Sequence, residues 1–302
     1  VSAESVLAWG SNSAGLLLTG DNSTSVIPVL VAPSSFENAK VVSIAAGTSF
    51  GVAANANGDV FTWGSNLRGQ LGLGASSGIA YSQAPVKVPS LGSSITDPVV
   101  QVAASTETAL ALTASGLVWS WGSNSRGLLG NGTGIAETGF ESSPVWVSDR
   151  VVDNIHLGAV SMIGCGFDYC GALTVENQVY MWGSNENGQL GYLSGTFQYV
   201  TVPAKINMTG FEHVHFTQMS FGGKHVLALT NDSIVVSWGS NNEAQLGLRF
   251  QGGSSFWPVR ANFTASAGDR VIQVAAGNAH SLVLTEAGSI YGWGLAQYYQ
   301  LG

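Results

Sequence analysis

One string limits what this chain can fold into: a Trp-Gly pair, usually followed by Ser-Asn and a Gly-Gln-Leu-Gly-like turn, returns six times along 302 residues. Trp9, Trp63, Trp121, Trp182, Trp238 and Trp293 each precede a glycine, at intervals of 54, 58, 61, 56 and 55 residues. Periods of this size mark repeat architectures, in which each unit is a small sheet unable to bury its own faces. Five repeats carry a second block at a constant distance. Gly47, Ser105, Gly166, Gly222 and Gly277 stand sixteen residues before the next tryptophan of the series. All length variation falls between one Trp-Gly block and the next glycine-column block, as expected of rigid modules joined by variable segments.

Three short strands are expected in each module. In the last repeat they are 271–276, 281–285 and 289–293, rich in β-branched and aromatic residues and bounded by glycine and asparagine turns. Alanine pairs such as Ala45-Ala46, Ala103-Ala104 and Ala275-Ala276 suit a crowded inner strand, whereas the large tryptophan suits packing between modules. Gly69, Gly127 and Gly188 are expected to supply positive backbone angles in the following turn. Asn12, Asn66, Asn124, Asn185 and Asn241 are expected to hydrogen-bond that turn's backbone. A fourth strand is expected in the variable segment, as at 85–88 or 144–147. Four-stranded units repeated radially make an all-β propeller. Tryptophans in one stripe are otherwise read as a ligand platform, but a column present in every module is more simply core.

The blocks at 274–284 and at Asn66-Leu67-Arg68-Gly69-Gln70-Leu71-Gly72 carry a resemblance. The pattern is similar to the repeat of the regulator of chromosome condensation (RCC1-like) β-propeller family, and it covers essentially the whole chain as one domain, 1–302. The resemblance implies a ring of seven blades, and the six visible repeats leave a six-bladed ring open. The first repeat begins mid-module, and the last stops after Gln300-Leu301-Gly302 with no outer strand behind it. Seven blades of this size need roughly 400 residues. Three expectations stay open: a longer parent protein, a six-bladed or open ring, or strands donated by a neighbouring molecule. Val1 in place of methionine points to a processed or partial chain. The last turn, which has Leu295, Ala296 and Tyr299 in place of the usual serine, asparagine and glycine, is expected to be rebuilt or to contact something new.

Charged residues make up only 9% of the chain, and ten Lys and Arg face eighteen Asp and Glu. The basic residues are isolated, so no stripe exists to neutralise a phosphate backbone, and no nucleic-acid partner is expected. No apolar run approaches a membrane-spanning length. A surface poor in charge must be kept soluble by small polar residues, by glycans or by assembly. Asn22, Asn131, Asn207, Asn231 and Asn262 begin N-x-Ser/Thr acceptor strings, all placed in variable segments or a hairpin turn, so N-linked glycans and a secretory origin are expected. Cys165 and Cys170 occupy the columns of Ala276 and Ser281 at two ends of a four-residue turn. They either form a disulfide or are two buried thiols.

A catalytic constellation is missing from the pattern. His225 and His280 share a column with Phe50, Thr108 and Tyr169, which marks a structural role. His213 and His215 are expected to alternate on a strand, with no third metal ligand in view. Asp149 and Asp153 flank Arg150, and Asp232 and Glu243 flank Trp238; neither pair reads as an acid–base dyad. No nucleophile elbow, phosphate loop or dinucleotide fingerprint occurs. No cofactor and no enzyme activity are expected.

Three functions from different classes remain. One is a secreted or surface glycoprotein propeller acting as a scaffold, with other proteins or copies of itself as partners. A second is a secreted propeller that caps and inhibits a target enzyme. The third, implied by the resemblance alone, is an intracellular, cytoplasmic guanine-nucleotide exchange factor or regulator of a small GTPase. Contacts are expected on the variable segments 74–89, 132–147, 192–203 and 249–257. Their aromatics Tyr81, Phe140, Trp146, Phe197, Tyr199, Phe250, Phe256 and Trp257 are the candidate anchors, unless they pack beneath their own loops.

Overall fold

A computed structural model describes residues 6–89, 91, 97–133, 139–147, 157–191, 198–263, 265–266 and 268–302. The chain folds into antiparallel sheets taken in strict sequence order. A two-stranded sheet comes first, β1 (Leu7–Gly10) with β2 (Ser25–Leu30). Four sheets of four strands follow. The first of these is β3 (Val41–Ala46), β4 (Phe50–Asn55), β5 (Val60–Ser65) and β6 (Tyr81–Lys87). Next come β7 (Val99–Ala104), β8 (Thr108–Thr113), β9 (Val118–Ser123) and β10 (Phe140–Trp146). The third is β11 (Val160–Cys165), β12 (Tyr169–Thr174), β13 (Val179–Ser184) and β14 (Tyr199–Lys205). The fourth is β15 (Phe216–Phe221), β16 (His225–Thr230), β17 (Val235–Ser240) and β18 (Ser254–Arg260). Three strands end the series, β19 (Val271–Ala276), β20 (His280–Thr285) and β21 (Ile290–Gly294).

Each sheet is one blade of a β-propeller. The fourth strands begin several residues before the expected 85 and 144, because pairing with the end of the tryptophan strand starts at Tyr81↔Ser65 and Phe140↔Ser123. The second strands β4, β8, β12 and β16 are buried at every residue, since a blade in mid-series is covered on both faces. That double burial explains their Val, Ala and Leu content, which lacks simple alternation.

The apolar cores lie between blades. Leu110, Leu112 and Leu128 of one blade pack with Ile163, Cys170 and Trp182 of the next. Tyr169, Met181 and Leu190 pack likewise with Met219, Val226 and Trp238. The repeated tryptophan ties each interface with a directed bond. Trp63 Nε1–H donates to the Leu16 carbonyl at 3.1 Å, Trp121 to Gln70 at 2.8 Å, Trp182 to Leu128 at 2.9 Å, Trp238 to Gln189 at 3.1 Å and Trp293 to Gln245 at 2.9 Å. Every acceptor stands seven residues after the preceding tryptophan of the series. Shortening such a buried tryptophan to alanine costs about 3–5 kcal/mol. Trp9 opens the series and is 61% exposed, whereas Trp121, Trp182 and Trp238 are wholly buried.

The turn after each tryptophan is built as its sequence implies. Asn12, Asn66, Asn124, Asn185 and Asn241 each accept, through Oδ1, the N–H of the leucine five residues on, at 2.8 to 3.2 Å. Gly69, Gly127 and Gly188 take φ of 72°, 77° and 74°. The last turn is kept, not rebuilt. Tyr299 holds φ 58° in the glycine column, and its N–H donates to Ala296 as that of Gly69 does to Asn66. No helix among the described residues is long and apolar enough to cross a membrane.

Candidate functional site

The hairpins joining the first and second strands of the last five blades meet at one end of the propeller. They surround a cavity of 370 Å³ lined by residues such as Thr48, Thr106, Phe167, Gly223 and Asn278. Backbone bonds run from blade to blade around this mouth. Thr48 N–H donates to Thr106 O at 3.0 Å, Thr106 N–H to Phe167 O at 3.4 Å, Phe167 N–H to Gly223 O at 3.1 Å and Gly223 N–H to Asn278 O at 3.1 Å. Each tip is tied to the next by main-chain bonds, whichever side chains the tips carry.

Beneath the arc, the column shared by Phe50, Thr108, Tyr169, His225 and His280 shows its purpose. A Cβ placed on Gly47, Gly166, Gly222 or Gly277 would collide with the ring three residues on, Phe50, Tyr169, His225 or His280 respectively. These rings therefore fill the space that the glycines leave, and the histidines are packing groups. Tyr169 Oη donates across the blade boundary to the carbonyls of Gly222 and His225, at 2.9 and 2.6 Å, and its burial holds the phenol pKa well above the ordinary value. Ser281 Oγ donates to Gln245 O at 2.7 Å, so His225 Nε2–H donates to Ser281 Oγ at 2.9 Å. His225 Nδ1 is then the bare nitrogen, buried and without a partner among the described residues. Desolvation first, and His280 second, lower the His225 pKa to about 4.

Around the mouth stand aromatics from the outer strands. Tyr81, Phe140 and Tyr199 are the first residues of β6, β10 and β14, one column in three successive blades, each 37–46% exposed. Tyr81 and Phe140 lie over Gly15 and Gly69, turn glycines of the preceding blade, and not under their own loops. Phe250 is exposed in the loop before β18. Trp146 sits at the opposite end of β10, stacked on Trp119 with centroids 6.5 Å apart. Phe256 and Trp257 lie midway along β18, and Phe197 lies outside the described residues. The eight candidates thus do not form one surface; Tyr81, Phe140, Tyr199 and Phe250 share the mouth side.

Phe167 belongs to this face and was not among the sequence candidates. It is 41% exposed, lines the mouth cavity and reaches the next blade, its ring 3.0 Å from where a Cβ on Gly223 would stand. Its signal was available: the other residues of its column are Thr48, Thr106, Gly223 and Asn278, none aromatic. Arg126 anchors the neighbouring blade boundary with Asp168 at 3.5 Å and Glu186 at 3.2 Å. Cys165 and Cys170 are joined by a disulfide at the last pair of the β11–β12 ladder.

The other sequence candidates are scattered. His213 and His215 precede β15 in irregular chain and do not alternate on a strand, because pairing with β16 starts at Phe216. Asp232 and Glu243 lie at opposite ends of β17, and Asp149 and Asp153 are outside the described residues. No group of three potential metal ligands occurs among the described residues. Asn22, Asn207, Asn231 and Asn262 are exposed, whereas Asn131 is half-buried.

The RCC1-like domain profile matches residues 2–302. The human E3 ubiquitin-protein ligase HERC2 is 33% identical over 243 residues, covering 80% of this chain and 5% of HERC2. RUG3, a mitochondrial RCC1 domain-containing protein of Arabidopsis thaliana, is 32% identical over 302 residues, covering 97% of this chain and 62% of RUG3. The crystal structure of Prp20p from Saccharomyces cerevisiae superposes with a TM-score of 0.80 at 23% identity, over 99% of this chain and 70% of that one. Six tryptophan turns, blade-to-blade indole bonds and this match lead to one assignment: the chain belongs to the RCC1-like domain family of β-propellers.

Proposed function

We propose that this chain is a non-enzymatic docking propeller that binds and regulates a protein partner over the channel-mouth face. One observation carries the reading: half-exposed aromatics recur at the first residue of three successive outer strands, beside a mouth locked by main-chain bonds. Rigid aromatic anchors on a pre-formed surface lose little conformational entropy on binding. The carboxylates with lowered pKa serve local structure. Asp21 is held down first by the Thr19 hydroxyl, and Glu212 by the Gly210 N–H.

A small GTPase inside the cell is the partner class to test first. Prp20p, which shares the fold, has been characterised for binding Gsp1p and histones, and RUG3 carries a mitochondrial designation. For this chain that is an argument by analogy. The experiment is calorimetric titration with nucleotide-free small GTPases, together with nucleotide-release kinetics. Binding that weakens at least tenfold in the Phe140→Ala and Tyr199→Ala proteins supports the reading. Equal binding by the wild type and both variants removes the mouth face from it.

A second reading, the secreted glycosylated scaffold, draws on the Cys165–Cys170 bond and on the exposure of Asn22, Asn207, Asn231 and Asn262. Peptide mass spectrometry of the natural protein before and after glycan removal tests it. Bare asparagines at all four positions would sink it.

A further inference from the structure

Five blades build the mouth hairpin, and only one staples it. The positions of Cys165 and Cys170 are held elsewhere by Ala46 and Gly51, Ala104 and Ala109, Phe221 and Val226, and Ala276 and Ser281. Those four hairpins close without a covalent bond, each with the N–H of the glycine-column residue donating to the carbonyl three residues on, at 2.8 or 2.9 Å. Gly166 makes the same bond to Tyr169 at 2.8 Å. The disulfide is therefore dispensable for the hairpin itself. It is placed on the one hairpin whose tip carries an aromatic, Phe167.

That tip is the junction of the arc. The Phe167 carbonyl accepts from both the N–H and the hydroxyl of Thr106, and its N–H reaches Gly223 in the next blade. Asp168 beside it pairs with Arg126. Cys165 is half-buried and lines the mouth cavity, while Cys170 is wholly buried in the core beside Trp182. Cys165 is therefore the half of the bond that faces the mouth, and Cys170 is the half held in the core.

We propose that Cys165–Cys170 is a switchable staple that sets how firmly Phe167 is held against Gly223 of the next blade at the cavity mouth. A soluble dithiol of the thioredoxin class reduces it. One thiolate of the dithiol attacks Cys165 Sγ, the S–S bond breaks and Cys170 leaves as a thiolate that takes a proton. The second thiol of the reductant then attacks the mixed disulfide, releasing Cys165 as a thiol and the reductant as its own disulfide. Two electrons and two protons are transferred. The loop closed by the bond is short, so the blade stays folded on reduction. The hairpin between the two sulfurs gains freedom, and the mouth opens where Phe167 lay over Gly223. The regulatory use of this step rests on the docking reading above; the step itself does not.

The test uses the whole chain without any partner. Amide hydrogen exchange is followed in segments 163–172, 104–108 and 221–225, before and after dithiothreitol, with alkylation and mass measurement reporting the thiol count. The Cys165→Ala/Cys170→Ala protein serves as the permanently open form; small residues already hold both columns in other blades, so it folds. Reduction of the native protein without denaturant is expected to quicken exchange in segment 163–172 at least tenfold, matching the double variant. A bond that yields only in denaturant, or exchange unchanged within twofold after reduction, overturns the proposal. Because no partner enters the measurement, faster exchange on reduction supports the staple even where the docking titration above fails.

Discussion

Ser105 and Thr108 share, in one blade, the volume that a glycine and an aromatic or imidazole ring divide in the four others. Their backbones close the same hairpin, Ser105 N–H to Thr108 O at 2.8 Å, but the bulk has moved from the later residue to the earlier one. Overfilling the site from one side is therefore expected to be costly and repairable from the other. Thr108→Tyr should destabilise by about 1–3 kcal/mol, and adding Ser105→Gly should recover most of it. Ser105→Gly also removes a buried hydroxyl without a partner among the described residues. Urea denaturation of the two single variants and the double variant measures the coupling; additive losses would refute the exchange of volume.

The indole ladder makes a graded prediction. Trp238→Phe removes a buried donor from the Gln189 carbonyl and leaves a small cavity, so a loss of about 2–4 kcal/mol is expected. Trp9→Phe, on an exposed indole, should change stability by less than about 0.5 kcal/mol. Thermal and urea midpoints of the two proteins distinguish a structural column from a uniform aromatic platform.

His225 should make the fold sensitive to mild acid. Its folded pKa of about 4 lies below the ordinary 6.5, first because burial disfavours the imidazolium and then because of His280. Between these values the unfolded chain binds the proton more readily, so stability falls as pH drops from 6.5 toward 4 and levels off below. The contribution is on the order of 3 kcal/mol. His225→Phe, which copies the Phe50 column residue, should flatten that part of the profile. An unchanged slope between pH 6.5 and 4 would assign the acid sensitivity to other groups.

Ala244 occupies the turn-glycine column with φ 61°, a left-handed conformation that L side chains adopt at a cost. Ala244→Gly is expected to stabilise by about 0.5–1 kcal/mol. The reverse change, Gly127→Ala, should cost more than 1 kcal/mol, since its Cβ would stand 2.8 Å from the Thr201 Cα of the next blade. Equal and opposite effects would mean that backbone strain acts alone and that the contact with the next blade contributes nothing.

What the sequence determined by itself is whatever recurs at fixed spacing within one module. The tryptophan column, the Asn12 to Asn241 turn bonds and the positive φ of Gly69, Gly127 and Gly188 are local demands of a hairpin or turn, and they recur at fixed spacing, the tryptophan in six repeats, the asparagine in five and the turn glycine in four. Tertiary structure decided what depends on neighbours more than fifty residues away. The indole of Trp182 finds its acceptor in Leu128, Tyr169 donates to the carbonyl of His225, and Tyr81 rests over Gly15. The grouping of Phe167 with Tyr81, Phe140 and Tyr199 on one face belongs to the same class. A strand pattern states which residues alternate, but only the side-by-side packing of blades states which of those alternating residues meet. For that reason the fold was legible almost throughout, whereas the proposed docking face had to be read from contacts between blades.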